Sequence, residues 1–230
     1  MINEILWIGT LIVSLFMVIF AYKLFGKTGL YIWTATAVIL ANIQVMKTIV
    51  VFGLVTSLGN VIYASIFLST DILNENHTKK DAKKAVWIGF FVLIATTIIM
   101  QITLLFIPDV SQEWNIQVSE SISTIFSLMP RIAFASLVAY LISQNHDVWF
   151  YAKLKTKDKA NRLWLRNNFS TISSQLIDNI IFTSIAFIGM KPFDEILQIF
   201  VTSLILKVIV AVFDTPFIYL SKKIRNSSII

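Results

Sequence analysis

Six ionisable side chains stand inside long apolar stretches of this sequence, where a charge is costly unless it has a partner or a task. The three cations and three carboxylates are Lys47, Arg131, Lys207, Asp71, Asp178 and Asp214. On insertion scales, such a group costs about 2.5–3.5 kcal/mol at the centre of a membrane helix, so intramembrane charges usually bind a ligand or an ion. Their balanced signs predict pairing in the protein interior, either for function or for structure.

Helical spacing places several polar residues on one face. Thr171, Ser174, Gln175 and Asp178 follow an i, i+3, i+4, i+7 pattern, with Asn179 beside them, in an otherwise apolar segment. Residues at these spacings share a face of an α-helix. The pattern predicts a polar wall that faces the interior.

Two other segments repeat this arrangement. Tyr63, Phe67 and Asp71 share one helical face, and Lys207 and Asp214 share another. The two aromatic rings could stack on a flat ligand, although most of the 18 Phe residues are expected to face lipid or pack in the interior.

Pro130 precedes Arg131 in the middle of a predicted helix. Proline there removes a backbone donor and frees the carbonyl of Phe126, so the sequence predicts a kink beside a charge. Such kinks often lie near transporter binding sites, and a simple packing kink is the alternative. Asn42 and Lys47 complete the candidate binding residues.

The elements that must position these side chains are membrane helices. Of 230 residues, 57% are hydrophobic and 14% are charged, whereas a soluble domain carries roughly a quarter charged residues. The chain has no Cys and two His, so thiolate metal sites are excluded and no metal or cofactor is predicted. The net charge of +6 is spread between apolar blocks, which does not favour nucleic-acid binding.

The apolar runs predict an all-α, polytopic transmembrane bundle that forms a single domain over residues 1–230. The seven predicted spans are 5–22, 30–52, 58–73, 85–107, 122–143, 171–189 and 195–220. The link between Gly53 and Gly59 could be a tight turn or a re-entrant break, so six spans are the alternative.

Basic residues alternate between the two sides of these spans. Fifteen of the 19 Lys and Arg residues follow the first, third, fifth and seventh spans. The positive-inside rule therefore predicts an N-terminus outside and a C-terminus in the cytoplasm, and the expected location is the bacterial cell (inner) membrane. Residues 144–170 mix aromatic residues with six cations and are predicted to be a loop along the cytoplasmic interface, or else a docking patch.

Several separated motifs carry a family resemblance between residues 35 and 220. They are Phe67-Leu68-Ser69-Thr70-Asp71, Pro130-Arg131-Ile132-Ala133-Phe134-Ala135-Ser136, the segment from Gln144 to Asp147, Ser170-Thr171 with Gln175 and Asp178, and Lys207. In order and spacing, the chain resembles the queuosine precursor transporter family, also called vitamin uptake transporter-like proteins. Members commonly have six helices, so residues 5–22 would be an added first helix.

The resemblance implies import of 7-cyano-7-deazaguanine, its aminomethyl relative or queuine. A carboxylate such as Asp178 can accept both the N–H and the amino group of a guanine-like edge. Gln175 and Asn179 could bond the ring carbonyl or amine, and Arg131 or Lys207 could hold the carbonyl or keep Asp178 ionised. Asp71 and Asp214 are predicted to act in coupling or gating.

An ion gradient is the expected energy source. Gly26-Lys27-Thr28 lacks the upstream glycine of an ATP-binding loop, because Ala21 stands there. One alternative is a substrate-binding subunit of an ATPase-driven complex, with the Ala37/Ala41 and Ala135/Ala139 spacings as docking surfaces. A homo-oligomer is a further alternative.

Other classes of function have less support. An intramembrane enzyme would need two aspartates close together, either Asp71 with Asp178 or Asp178 with Asp214. A scaffold or sensor would bind without transport. The sequence therefore favours a transporter and not an enzyme.

Overall fold

The computed structural model describes residues 2–45, 47–127, 130–157, 162–189 and 192–227. Over these ranges it contains α1 (Ile2–Gln44), β1 (Thr48–Val51), β2 (Leu54–Ser57), α2 (Gly59–Asn76), α3 (Lys79–Thr103), α4 (Glu113–Ser127), α5 (Pro130–Lys157), α6 (Leu163–Phe187) and α7 (Phe193–Ser227). The helical bundle confirms the predicted fold class, with one small hairpin that the sequence did not predict.

The first helix folds back on itself at Gly26. This residue has φ 57° and ψ −141°, a conformation that glycine adopts without a steric penalty. The N-terminal end of α1 returns to the neighbourhood of its C-terminal end, since the Asn3 amide donates to the Val50 carbonyl at 3.1 Å. The two halves of α1 therefore correspond to the first two predicted spans.

A β-hairpin replaces the end of the predicted second span. Its strands pair antiparallel, with Val51 opposite Leu54. Phe52 and Gly53 form the turn with φ of 53° and 73°, as a two-residue type I′ turn requires. The link before Gly59 is thus a tight turn, and Lys47 is wrongly placed by the sequence: it is exposed at the start of the hairpin and is not in a membrane helix.

The central element of the bundle is α2. All its residues are buried except Asn60 and Tyr63, including the polar side chains of Asp71 and Glu75. It packs against α1, α3, α5 and α7. A helix with polar groups buried on all sides is an unusual core element, and it carries those groups through the middle of the bundle.

Two described helices cover the predicted fifth span, on either side of residues 128 and 129. α4 has no buried residue, and α5 is described from Pro130 onward. The kink predicted at Pro130 falls next to residues outside the described ranges, so it stays a prediction. Before α4, the backbone and hydroxyl of Ser111 donate to Asp109 and lower the pKa of its carboxyl.

Residues 144–157 and 163–170 are helical, which corrects the predicted loop over these parts of the segment. α5 continues to Lys157 and α6 begins at Leu163, and the side chains of Tyr151 and Leu163 are buried in the core. Trp149 and Trp164 remain exposed. The interfacial position of this segment stays a prediction that the helical structure does not address.

The outside of the bundle is largely apolar, and its interior buries many polar side chains beside a hydrophobic core. Ile5, Phe91 and Ile99 are each more than 60% exposed, whereas Asp71, Gln144 and many other polar side chains are buried. Within the described ranges, α1 and α3 are long and apolar enough to cross a membrane by length and composition. So much exposed apolar surface is typical of a surface that faces lipid.

Candidate functional site

A cavity of about 390 Å³ lies between α1, α2, α3, α5, α6 and α7, at the end of the bundle that carries the hairpin. Its polar lining includes Asn42, Asn60, Tyr63, Asp178, Ser203 and Lys207. Apolar walls come from Leu93, Phe182 and Ile199, and Thr56 of the hairpin contributes one edge. Apolar walls with a few converging polar groups are characteristic of small-molecule sites.

The polar centre of the cavity is an ion pair between α6 and α7. Lys207 Nζ lies 2.6 Å from Asp178 Oδ2, and the two side chains are each 5% exposed. Tyr63 and Ser143 donate to Asp178 Oδ1 at 3.1 and 3.2 Å. The pairing that the sequence predicted between opposite intramembrane charges is thus confirmed for these two residues.

An aromatic group supports one side of this ion pair. The ring of Tyr63 contacts Phe67 and Tyr140 edge to face, with centroid separations of 5.7 and 5.9 Å. Lys207 Nζ lies 5.9 Å from the centre of the Tyr63 ring. These contacts fix the Tyr63 hydroxyl so that it points at Asp178.

The predicted polar wall of α6 faces the interior, since Thr171, Ser174, Gln175 and Asp178 are all buried. Of the α6 candidates, Asp178 lines the cavity, whereas Gln175 and Asn179 are not among its lining residues. The Asn179 amide donates to the Phe200 carbonyl at 2.7 Å and joins α6 to α7.

The remaining candidates are distributed more widely. Asn42 lines the cavity, and its amide also bonds the Val38 carbonyl in the preceding turn. Phe67 is fully buried and supports Tyr63 from behind, without lining the cavity. The side chain of Asp214 lies outside the described residues.

Arg131 does not join the cavity. Its guanidinium donates to the carbonyls of Ile185, at 2.8 Å, and Ile188 at the end of α6. A cation at a helix C-terminus satisfies free carbonyls and interacts favourably with the helix dipole. The structure therefore corrects the predicted contact of Arg131 with Asp178.

A second polar layer lies beyond the floor of the cavity. Thr171 donates to Asp71 Oδ2 at 3.0 Å, and Ser174 donates to Asp147 Oδ1 at 3.2 Å. Asp71 and Asp147 are both 0% exposed. Asp147 belongs to the Gln144 to Asp147 segment of the family resemblance, but it is not among the predicted site residues because the sequence predicts a loop there.

The far end of the bundle is closed by a charged cluster around Glu75. Arg166 Nε donates to Glu75 Oε2 at 3.1 Å, and the Tyr151 hydroxyl donates to the same oxygen at 3.1 Å. Lys155 and Lys222 also pair with this carboxylate. We call these five residues the Glu75 cluster.

The sequence contained a signal for the missed residues of α5. Ser136, Tyr140, Ser143 and Asp147 recur every three or four positions, which places them on one face of a helix. This periodicity runs across the predicted end of the fifth span at residue 143. A longer predicted helix would have brought Ser143 and Asp147 to the same face as the cavity-lining Tyr140.

The site can hold a planar, polar ligand by exchange of hydrogen bonds. Asp178 offers two acceptor oxygens and Lys207 offers a charged donor in a cavity whose walls are largely apolar. Charge-assisted bonds in such a site are strong and directional. Asp178 pairs with Lys207 and not with Asp71. The Asp71–Asp178 pair, one of the two alternatives for an intramembrane enzyme, is therefore not formed.

Comparisons with known proteins agree with this geometry. A family model described as putative vitamin uptake transporter matches residues 57–221. A probable queuosine precursor transporter of Bacillus subtilis (strain 168) is 43% identical over 227 residues, which cover 97% of this chain and 96% of that protein.

A second, less similar relative matches this chain over only part of its length. A probable queuosine precursor transporter of Haemophilus influenzae (strain ATCC 51907 / DSM 11121 / KW20 / Rd) is 27% identical over 136 residues, which cover 59% of this chain and 54% of that protein. No solved structure matches the chain significantly. The extent of the family match and the 43% identity show that this chain belongs to the vitamin uptake transporter family.

Proposed function

We propose that the chain imports queuosine precursors, namely 7-cyano-7-deazaguanine, 7-aminomethyl-7-deazaguanine or queuine, across the bacterial inner membrane. The names of both relatives support this substrate class. The observation that carries the proposal is the Asp178–Lys207 pair at the edge of a cavity of about 390 Å³.

Recognition follows from the chemistry of a guanine-like edge. Its N–H and amino group donate side by side, and the Asp178 carboxylate accepts both, while Lys207 donates to the ring carbonyl. The ligand thereby replaces part of the Asp178–Lys207 contact, so neither charge is left without a partner. Since an unpaired buried charge is costly, this exchange favours ligands that present donors and an acceptor together.

The two ends of the bundle support the proposed orientation in the membrane. The cavity lies at the hairpin end, next to Thr56, whereas the basic Glu75 cluster closes the opposite end. Under the positive-inside rule, the basic end faces the cytoplasm. The N-terminus is then outside, the C-terminus inside, and the cavity opens to the outside of a seven-span protein.

Transport proceeds by alternating access driven by an ion gradient, without an ATPase. The Ala37/Ala41 and Ala135/Ala139 spacings offer no docking surface, because all four alanines are at most 5% exposed within the chain itself. Uptake by the purified protein in nucleotide-free vesicles tests this point. A requirement for a copurifying ATPase would overturn it.

Uptake in cells that lack queuosine synthesis tests the function and the site separately. Native protein should restore queuosine in tRNA when labelled precursor is supplied, and Asp178→Asn should reduce uptake by at least about tenfold, since a charge-assisted bond contributes ~1.5–3 kcal/mol. Asp109→Asn, in an exposed loop, is the matched control. Failure of every precursor with native protein would reject the function, and normal uptake by Asp178→Asn would reject the site.

A further inference from the structure

Two buried carboxyl groups face each other between the cavity and the Glu75 cluster. The side chains of Asp71 of α2 and Asp147 of α5 interact with each other, and both are 0% exposed. Thr171 and Ser174 of α6 donate to one oxygen of each carboxyl. Three helices therefore meet at this pair.

Two carboxyl groups can hydrogen-bond to each other only if one of them carries a proton. Two adjacent carboxylates repel each other strongly in a buried site, so such pairs hold one proton between them. Asp147 Oδ2 independently points to a ligand, because it is buried and has no donor within reach among the described residues. A proton on either carboxyl supplies that missing donor.

Charged residues lie on both sides of the carboxyl pair, towards the cavity and towards the Glu75 cluster. The elements around Asp147 carry these ionisable groups: Tyr63, Asp71 and Glu75 on α2, Arg166 and Asp178 on α6, and Arg131, Tyr140, His146, Tyr151, Lys153, Lys155 and Lys157 on α5 itself. Towards the cytoplasmic end, Glu75 engages Arg166. Towards the cavity, Asp178 engages Lys207 of α7, while the charged residues of α3 lie within its first turns, between Lys79 and Lys84.

Ser143 links the carboxyl pair to the cavity. It donates to Asp178 Oδ1 at 3.2 Å, and it lies one helical turn before Asp147 on the same face of α5. A ligand that rearranges the bonds of Asp178 therefore acts on the helix that carries Asp147. This contact provides a physical connection between ligand binding and the carboxyl pair.

We propose that Asp71 and Asp147 form the proton-binding site that couples uptake to the proton gradient. The pair takes up one proton from the cavity side and releases it on the cytoplasmic side, with no change in covalent bonds elsewhere. This proposal rests on the proposed function, and it adds Asp147 as the partner of the predicted coupling residue Asp71. Because the two carboxyls interact with each other, we assign the site to a proton and not to a sodium ion, which would lie between its oxygen ligands.

Reconstituted full-length protein provides the test, with labelled 7-cyano-7-deazaguanine as the probe. An acid-outside pH gradient should drive accumulation by native protein, at about tenfold per pH unit for one proton per substrate. Asp147→Asn and Asp71→Asn should abolish this gradient-driven accumulation while retaining exchange of labelled for unlabelled substrate across the vesicle membrane. Asp109→Asn should behave like native protein.

Retained exchange shows that a variant is folded and binds substrate, so loss of accumulation then reports coupling alone. Accumulation that follows a sodium gradient but not a pH gradient would overturn the proposal, as would pH-driven accumulation by Asp147→Asn. Native protein that neither accumulates nor exchanges the probe would instead reject the proposed function.

An infrared measurement tests proton binding without transport. The native protein should show the C=O stretch of a buried protonated carboxyl at neutral pH, and either Asn variant should lose that band. A native spectrum without the band would overturn the proton site even if transport is observed. If one variant fails to fold, the other variant still makes the assignment.

Discussion

Asp178 and Glu75 are both buried carboxylates that pair with cations from another helix, yet their surroundings differ. Among the described residues, Asp178 pairs with one cation, Lys207, and it lines a cavity of about 390 Å³. Glu75 is surrounded by Arg166, Lys155 and Lys222 and is not among the residues that line this cavity. The first site can exchange its partners for those of a ligand, whereas the second is bonded to three cations.

This difference distinguishes the ligand-binding site at Asp178 from the closed end of the bundle at Glu75. Buried ion pairs contribute little net stability by themselves, and their loss matters when one charge remains without a partner. At Asp178, a ligand or water in the cavity can replace a lost partner. At Glu75, removal of the single carboxylate would leave several cations together, so we expect the two sites to respond differently to the same chemical change.

The largest expected effect is on stability, from Glu75→Gln. Removing one partner of a buried ion pair typically costs ~3–5 kcal/mol, and here three cations share the carboxylate. Thermal unfolding of the purified protein should therefore shift strongly downward. Asp178→Asn is the matched change at the cavity and should shift the unfolding temperature less, while substrate binding falls more. Equal unfolding shifts in the two variants would contradict the distinction between the two sites.

The second test measures access to the two regions. The chain has no native cysteine, so single-cysteine variants have no background reaction. Ser203→Cys in the cavity should react with a membrane-impermeant thiol reagent added outside, whereas Ser69→Cys, at a fully buried position of α2, should remain unmodified.

Two controls define this access experiment. Ser111→Cys, in the exposed loop before α4, should react in the presence or absence of substrate. Substrate should protect Ser203→Cys alone, because only that position lies in the cavity. Reaction of Ser203→Cys only from the cytoplasmic side would show that the proposed orientation is reversed.

A smaller effect is expected from Tyr63→Phe. This change removes the hydroxyl that donates to Asp178 Oδ1 at 3.1 Å and keeps the ring that contacts Phe67 and Tyr140. Hydrogen bonds to charged groups contribute ~1.5–3 kcal/mol, so substrate affinity should change by about tenfold or more. Equilibrium binding measures the change, and an unaltered affinity would show that the hydroxyl does not orient Asp178 for the ligand.

The sequence predicted the bundle and the centre of the cavity because both depend on local patterns. Apolar runs gave the order of the helices, and helical spacing placed Asp178 on an inward face. Charge then left Arg131 and Lys207 as alternative partners, and the structure shows that the partner is Lys207. These inferences need only the 3.6-residue period and the high cost of an unpaired charge in an apolar environment.

The predicted helix boundaries were wrong where hydrophobicity does not determine the length of a helix. α5 continues to Lys157 although its second half is polar, because α6 and α2 supply buried partners for that half, such as Ser174 and Glu75. Such partners come from distant parts of the chain and cannot be read from local composition. The same reason explains the hairpin, since Lys47 and its neighbours were counted as a continuation of an apolar helix.

The smallest effect is expected from Arg131→Gln, which tests whether this cation lies outside the binding site. Arg131→Gln removes the cation from the carbonyls of Ile185 and Ile188 at the end of α6. Because cations at exposed helix C-termini contribute ~0.3–1 kcal/mol, the unfolding temperature should fall slightly and substrate affinity should not change. A loss of affinity comparable to that of Tyr63→Phe would return Arg131 to the binding site, and would mean that the end of α6 moves towards the cavity when the ligand binds.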